Sequence, residues 1–280
     1  MTEIRVAYFG DVVGSAGRVA FAHACAVARG ELGADVVIVN GENAKHGRGL
    51  HPVGFLELRN SGADAVTLGD HYDDDPRILP FLKDPTEPVC SPVNIIPGVT
   101  GYKRGVRVSG ENWSVWAIVV HGRLFMRREA SCPFDALDEA VSAIEQEDER
   151  AMVFVEIHAE ATSEKGGIAW HGAKRWPGRV VGVFGSHTHV QTNDPRILEN
   201  GCAAITDLGM CGASKSIIGF DADRSIASLR GTRGGLRISE EEPVATGVFV
   251  TLDVPSRRAV SIETLRVELP VVAKDSGGGL

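Results

Sequence analysis

Two histidines separated by one residue, His187 and His189, follow an apolar run at residues 180–184. The run has the length and composition of a buried strand, which places both imidazoles in the loop where the strand ends. In open α/β sheets, ligands bind at the carboxyl ends of the strands. A His-x-His pair at such an edge can hold a metal ion, although two histidines that only hydrogen-bond loop backbone give the same pattern.

Four other apolar runs also end in residues with oxygen or imidazole donors. Together with the histidine pair, the five ends carry eight candidates: Asp11, Glu42, Asn43, Asp70, His71, His158, His187 and His189. Stable packing does not require such residue types at every strand end. We therefore interpret the set as one site for hard or borderline divalent metals.

The number and type of donors favour a centre with two metal ions. Eight groups exceed the ligand count of one closed zinc site, and no cysteine is among them. A carboxylate can bridge two ions, whereas a neutral histidine cannot, so Glu42 or Asp70 is the expected bridge. Imidazole ligands favour iron, manganese or zinc over magnesium.

The elements that position these residues follow a regular order. Apolar runs at residues 5–9, 35–39 and 63–68 alternate with helical stretches, the pattern of parallel βαβ units, which brings the strand ends to one edge. Residues 104–107 and 113–120 predict two paired strands that open a second sheet. Residues 246–253 and 259–268 predict a closing hairpin.

Three local predictions concern helices and a loop. Ser15 is the expected cap of the first helix, whose apolar face is predicted to carry Val19, Ala22, Ala26 and Val27. Residues 133–147 have the spacing of an amphipathic helix. The glycine-rich stretch 166–172 predicts a loop, in which Trp170 and His171 lie where they could cover a substrate.

Length and composition favour a single large α/β domain over residues 1–270, with a disordered glycine-rich tail at 271–280. Apolar residues make up 43% and charged residues 24%, as in ordinary globular proteins. The five cysteines are odd in number and scattered, which argues against a disulfide framework and a zinc ribbon.

The net charge and the hydropathy of the chain argue against two classes of partner, nucleic acid and membranes. The net charge of -8 argues against an extended nucleic-acid surface. No signal peptide or membrane-length apolar run is present, so we expect a cytoplasmic protein that does not bind membranes. Homo-oligomers are common among such proteins, and we expect one here.

Several motifs resemble those of the calcineurin-like metallophosphoesterases: Gly10-Asp11, Gly69-Asp70-His71, His158 and Gly185-Ser186-His187-Thr188-His189. The stretches 10–14, 40–44, 158–165, 185–192 and 206–210 look more closely like the YmdB-like subgroup. This resemblance implies a four-layer α/β/β/α sandwich and a di-iron or similar centre, with manganese or zinc as alternatives. It also implies a small phosphodiester substrate, in particular a 2′,3′-cyclic nucleotide.

The resemblance also implies roles for single residues. One metal ion would be held by Asp11, Asn43 and His189, and the other by Asp70, His158 and His187, with Glu42 as the bridge. His71 would donate a proton to the departing ribose oxygen after attack by a metal-bound hydroxide.

Two positions depart from the expected patterns. The wider superfamily has a histidine where this chain has Val13; the YmdB-like subgroup lacks it too, with Asn43 in its place. At Asp70 the family pattern has an asparagine, so the ligand set gains a negative charge. Asp70 therefore favours the alternative of a regulatory or scaffold protein with low turnover. A metal-free nucleotide-binding module, based on Gly14 and Gly17, is a third possibility.

Overall fold

A computed structural model describes residues 2–96, 102–232 and 234–269 of the chain. The strands are β1 (Glu3–Phe9), β2 (Asp11–Val12), β3 (Val36–Asn40), β4 (Ala65–Thr67), β5 (Val89–Cys90), β6 (Val106–Ser109), β7 (Ser114–His121), β8 (Ala151–His158), β9 (Val180–Ser186), β10 (Arg196–Ile197), β11 (Ala203–Ile205), β12 (Met210–Ala213), β13 (Pro243–Asp253) and β14 (Arg258–Glu268). The α-helices are α1 (Gly14–Gly30), α2 (Pro52–Asn60), α3 (Leu79–Lys83), α4 (Pro133–Glu147), α5 (Thr162–Arg175) and α6 (Ala222–Leu229).

The strands form two mixed sheets. The first has the order β2-β12-β13-β1-β3-β4-β5, with β14 paired to β13, and the second has the order β10-β11-β9-β8-β7-β6. In the first sheet β1, β3, β4 and β5 are parallel, and in the second β7, β8, β9 and β11 are parallel. The predicted parallel units, the second sheet with its β6–β7 pair, and the closing hairpin are thus confirmed.

Three groups of buried apolar side chains hold the elements together. One group lies between the sheets and includes Tyr8, Phe154 and Phe184, whose rings meet edge-on or tilted at 5.4 to 6.3 Å. A second group joins the first sheet to α1 and α2. The third joins the second sheet to α4 and α5. The prediction of a mixed α/β protein is confirmed.

The predicted face of α1 was wrong. The helix begins at Gly14, so Ser15 lies inside it and donates a hydrogen bond to Glu240 instead of capping the helix. Val19 is 52% exposed, and the buried face carries Phe21, whose ring packs against Phe9 at 5.6 Å between centroids. The many alanines of α1 give little periodic signal, so the sequence pattern does not identify the buried face that carries Phe21.

The predicted loop at residues 166–172 is the middle of α5. Gly172 is buried, and a Cβ there would lie only 3.1 Å from Val180, so the glycine allows close packing of α5 on β9. His171 hydrogen-bonds Asp138 of α4 at 3.0 Å. The predicted position of Trp170 and His171 in a covering loop was therefore wrong.

None of the cysteines forms a disulfide, in agreement with the sequence analysis. All five cysteines are free, and Cys25, Cys90, Cys202 and Cys211 are buried. Burial raises the pKa of the Cys90 thiol to about 12, as expected for a packing residue. None of the helices in the described ranges is long and apolar enough to cross a membrane.

Candidate metal centre

The eight predicted residues converge at one edge, where the carboxyl ends of both sets of parallel strands meet. Each follows or ends a strand of the first sheet (β1, β3, β4) or of the second (β8, β9). The structure places one donor atom from each of four side chains within 4.8 Å of one another: Glu42, Asp70, His158 and His187. Segments far apart in sequence thus deliver carboxylates and imidazoles to one small volume.

His158 is the centre of this cluster. Its Nε2 lies 3.0 Å from Asp70 Oδ1 and 3.2 Å from Glu42 Oε1. The Nδ1 of His187 lies 3.4 Å from the same Asp70 oxygen. Gly69 must be a glycine, because a Cβ there would collide with the Glu42 carboxylate and the His158 ring.

Asp11, Asn43 and His189 form a second group beside the first. The His189 Nε2 lies 3.2 Å from Asn43 Nδ2 and 3.9 Å from Asp11 Oδ1. Asn43 Nδ2 also donates to Glu42 Oε1 at 3.1 Å, so Glu42 stands between the two groups. An amide binds metal through its oxygen, so ligation by Asn43 requires its amide group to turn over.

One carboxylate oxygen of the site, on Asp11, is buried without a hydrogen-bond donor beside it in the described part of the chain. Asp11 Oδ1 is buried and has no hydrogen-bond partner among the described residues. Burial raises the pKa of Asp11 well above its usual value, and Glu42 and Glu156 raise it further against the opposing charge of His158. A buried, unpaired carboxylate oxygen is costly unless a cation meets it, so the donor set fits a metal ion.

Hydrogen bonds at Nδ1 orient two of the imidazoles so that Nε2 faces the carboxylates of the site. Ser186 donates to Glu156 at 2.6 Å, so its oxygen accepts from His158 Nδ1 at 2.8 Å. His189 Nδ1 donates to the Ile218 carbonyl at 3.0 Å. In both rings Nδ1 is taken up by its hydrogen-bond partner, which leaves Nε2 as the nitrogen available to a metal ion.

Glu156, on β8, is the buried carboxylate behind His158. It accepts hydrogen bonds from four side chains: Tyr8 (2.9 Å), Asn40 (2.5 Å), Thr67 (2.5 Å) and Ser186 (2.6 Å). Burial raises the pKa of Glu156, but hydrogen bonds and the charge of His158 outweigh burial and lower it. The group therefore stays ionised and fixes the orientation of Ser186.

We predict that Glu156→Gln weakens metal binding without removing a ligand. The new amide group is a donor, so at least one of the four donors loses its acceptor, at a cost of about 1–3 kcal/mol in the free energy of unfolding. Loss of the support to His158 should lower metal affinity about 10- to 100-fold. Chelator competition and urea unfolding measure the two effects. Tyr8→Phe is the control, and it should lower the free energy of unfolding without changing metal affinity. Equal metal affinity in the wild type and in both variants would contradict the prediction.

Two charged side chains in the stretch 158–165, Glu164 and Lys165, hold two different loops near the site. The Lys165 ammonium lies 2.7 Å from Asp207 and 3.2 Å from the hydroxyl of Thr188, which is the residue between the two loop histidines. Glu164 accepts the backbone N–H groups of Arg123 and Leu124 at 2.9 to 3.2 Å. The motif therefore fixes two loops in addition to providing His158.

His71 lies beside the cluster, at the wall of a cavity of about 640 Å³ that Glu42, Asp70 and His187 also line. Its Nδ1 is 3.0 Å from Asp74 Oδ2, and its Nε2 is 3.9 Å from Asp70 Oδ2. Asp74 thus turns the Nε2 edge of the ring away from itself and toward the carboxylates. Sequence reasoning missed Asp74, although its position three residues after His71 is a usable signal.

The comparisons with known proteins identify the family. A family model described as "YmdB-like protein" matches residues 7–265. The chain belongs to the YmdB-like family. It is 35% identical over 267 residues to the "2′,3′-cyclic-nucleotide 2′-phosphodiesterase" of Bacillus subtilis (strain 168), covering 94% of this chain and 97% of the relative.

Two solved structures resemble this YmdB-like protein along nearly their whole length. A hypothetical protein from Thermus thermophilus has a TM-score of 0.84 at 35% identity, over 95% of this chain and 100% of the other. A structure described as a novel phosphatase from Mycoplasma pneumoniae has a TM-score of 0.86 at 29% identity, over 96% and 94%. The prediction of an enzyme of the metallophosphoesterase class is confirmed.

One buried histidine of the YmdB-like chain escaped the sequence analysis. His121 ends β7 and pairs in register with His158, with 6.2 Å between the ring centroids. Neither of its ring nitrogens has a hydrogen-bond partner among the described residues. Burial lowers the pKa of His121 to about 4, so the ring is neutral at pH 7. The apolar run before His121 ends in a histidine, as does the run before His158, and this shared pattern could have identified His121.

Proposed function

We propose that this chain is a dinuclear metal-dependent phosphodiesterase that hydrolyses 2′,3′-cyclic nucleotides. The observation that carries the proposal is Asp11 Oδ1, which is buried beside a cluster of carboxylates and imidazoles and has no hydrogen-bond partner within the described ranges. The name of the Bacillus subtilis relative supports the substrate class. The substrate is a small phosphodiester, which the cavity of about 640 Å³ can accommodate.

The ligand assignment is part of this proposal. Asp11, Asn43 and His189 hold one ion, Asp70, His158 and His187 hold the other, and Glu42 bridges them. The short distances from Glu42 Oε1 to His158 Nε2 and to Asn43 Nδ2, 3.2 and 3.1 Å, support its bridging position. Iron is the first candidate for both ions, with manganese or zinc as alternatives.

When bound, two such ions draw charge from the phosphoryl oxygens and lower the pKa of the attacking water. His71 is the proposed proton donor to the departing ribose oxygen. The Asp74 carboxylate, 3.0 Å from its Nδ1, orients the ring and leaves Nε2 to face the substrate. Protonation prevents charge from building on the leaving oxygen as the phosphate ester bond breaks.

Metal analysis and hydrolysis assays test the proposal. We expect about two ions per chain, and metal-dependent hydrolysis of 2′,3′-cyclic AMP and bis-p-nitrophenyl phosphate with iron, manganese or zinc. His71→Ala should lower kcat on the cyclic nucleotide about a hundred-fold while both ions stay bound. A metal-free chain would refute the proposal, and so would a loaded chain without hydrolysis.

Asp70 favours the second candidate function, a regulatory or scaffold protein with low turnover. Burial raises the pKa of Asp70, but hydrogen bonds from His158 and His187 outweigh burial and hold it well below the usual range. The carboxylate therefore adds a full negative charge where the family pattern has a neutral amide. A loaded protein that turns over neither substrate in the assay above would support this candidate.

The remaining proposals concern the whole chain. The three buried groups support a four-layer α/β/β/α sandwich, with each sheet covered by helices on its outer face. We also propose one domain over residues 1–270, a cytoplasmic location and a homo-oligomer. The tail predicted at 271–280 lies outside the described residues.

A further inference from the structure

The cavity beside the metal centre has two unlike parts. Its inner part is lined by the buried metal-centre residues Glu42, Asn43 and Asp70. Its outer part is lined by apolar side chains that are half-buried or exposed: Phe125, Met126, Ile218, Phe220 and Leu236. At about 640 Å³ the cavity is far larger than one phosphate group needs, and it matches a ligand of mononucleotide size. The polar inner end suits the phosphodiester, which leaves the apolar end for another part of the same ligand.

We propose that the outer part of the cavity is a nucleoside subsite in which the ring of Phe125 stacks on the nucleobase of the substrate. This inference rests on the proposed function, because it assigns the phosphodiester to the inner part. Stacking suits bases of any sequence, since every base has a flat π-face. The subsite therefore selects nucleotides over other phosphodiesters without selecting one base.

Phe125 is held out toward solvent by a fixed loop. Its side chain is 87% exposed and its backbone has φ 64°, a left-handed conformation that is rare for a bulky residue. Such strain persists only where the surroundings impose it. Here the buried Glu164 carboxylate binds the two preceding backbone N–H groups, of Arg123 and Leu124. Because the segment that carries the Phe125 ring is already fixed, binding a ligand to this ring costs little further conformational entropy.

A second apolar segment of the cavity lining is bonded to the proposed metal ligand His189. Ile218 also has a left-handed backbone, with φ 49°, and its carbonyl accepts the hydrogen bond from His189 Nδ1 at 3.0 Å. Phe220 follows two residues later and lines the same cavity. The apolar wall and a proposed metal ligand therefore keep a fixed spacing, as a ligand that spans both parts requires.

The arginines around the cavity differ in their partners. Arg128 pairs with Asp73 and lies over the Tyr72 ring at 5.1 Å, and Arg48 bonds Asp74 at 3.0 Å. Arg127 lines the cavity and has no ion-pair partner in the part of the chain that the structure describes. It supplies an uncommitted cation for an anionic ligand in this cavity.

The test compares two cyclic phosphodiesters on the metal-loaded full chain. Both 2′,3′-cyclic AMP and glycerol 1,2-cyclic phosphate have a five-membered cyclic phosphate, but only the first has a base. We expect Phe125→Ala to lower kcat/KM for cyclic AMP roughly ten-fold and to leave the base-free substrate unchanged. Phe125→Tyr should restore the value for cyclic AMP. Leu124→Ala is the matched control, since it keeps the backbone N–H bond to Glu164 and shortens a side chain that is 50% exposed and does not line the cavity. It should change kcat/KM for neither substrate.

A binding measurement separates failure of the subsite from failure of the proposed function. Calorimetry compares adenosine 3′-monophosphate with inorganic phosphate on the wild-type and Phe125→Ala proteins. Tighter binding of the nucleotide, lost in the variant, supports the subsite even if the wild type hydrolyses nothing. Equal binding of both ligands overturns it, and so does an equal fall in kcat/KM for both substrates in the variant, or no fall in either.

Discussion

Replacing Glu42 by glutamine is expected to empty the metal centre and to lower hydrolysis of 2′,3′-cyclic AMP by roughly a thousand-fold or more. The carboxylate lies between the two proposed ligand groups, with Oε1 3.2 Å from His158 Nε2 and 3.1 Å from Asn43 Nδ2. The second oxygen accepts the backbone N–H of His71 at 3.1 Å. In Glu42→Gln, one oxygen becomes an NH₂ group that cannot bind metal, so the bridge and the position of His71 cannot both be kept.

Metal content and activity must be measured on the same preparation of Glu42→Gln. The matched control is Glu160→Gln, because the Glu160 carboxylate lies 3.4 Å from the outer nitrogen of His187 and outside the donor cluster. The control loses a contact to His187 but no proposed ligand, so at saturating metal it should still bind about two ions per chain. If Glu42→Gln also retained both ions, Glu42 would not be the bridge.

The position of the site was predictable because it depends on a local pattern. Each proposed ligand follows or ends an apolar run, and parallel strands bring such ends to one edge whatever the detailed packing. This is why residues as far apart as Asp11 and His189 could be assigned to one site. The resemblance in the motifs then implied the proposed roles, which the pattern alone had left open.

The supporting residues were not predictable, since their partners are distant in sequence. Glu156 contacts Tyr8 and Asn40, and Lys165 contacts Asp207, but a buried charge on an apolar strand or on a helix does not reveal its partner. The helix α5 was missed for a related reason. Its glycines oppose helix formation locally, and packing against β9 overrides that preference.

Replacing Lys165 by methionine is expected to lower the free energy of unfolding by about 3 kcal/mol. Lys165 and Asp207 are 3% and 1% exposed, and their charged atoms are 2.7 Å apart. Methionine fills similar space but leaves the Asp207 carboxylate buried without its cation. Asp207 keeps its hydrogen bonds from Thr188 at 2.5 Å and Gly209 at 2.7 Å. The expected loss in the free energy of unfolding is therefore at the lower end of the range for breaking a buried ion pair.

The same substitution should also weaken both metal sites. Thr188 bonds Asp207 and stands between His187 and His189, whose backbones have φ 91° and 63°. A left-handed backbone costs about 1–3 kcal/mol at residues other than glycine, so the loop keeps this shape only while it is restrained. Without Lys165, Thr188 loses the hydrogen bond from the ammonium group at 3.2 Å and keeps only its bond to Asp207. The loop, which carries one proposed ligand of each ion, can then relax. Affinity for both ions should therefore fall together.

Urea unfolding and chelator competition on three variants separate these effects. Lys174→Met makes the same change at an exposed position of α5 and should alter stability by less than about 0.5 kcal/mol. The double variant Lys165→Met with Asp207→Asn removes the uncompensated charge, so it should recover part of the lost stability. It should not recover metal affinity, because the restraint on Thr188 stays weakened. Full metal affinity in Lys165→Met would show that the strained histidine loop holds its shape without the buried ion pair.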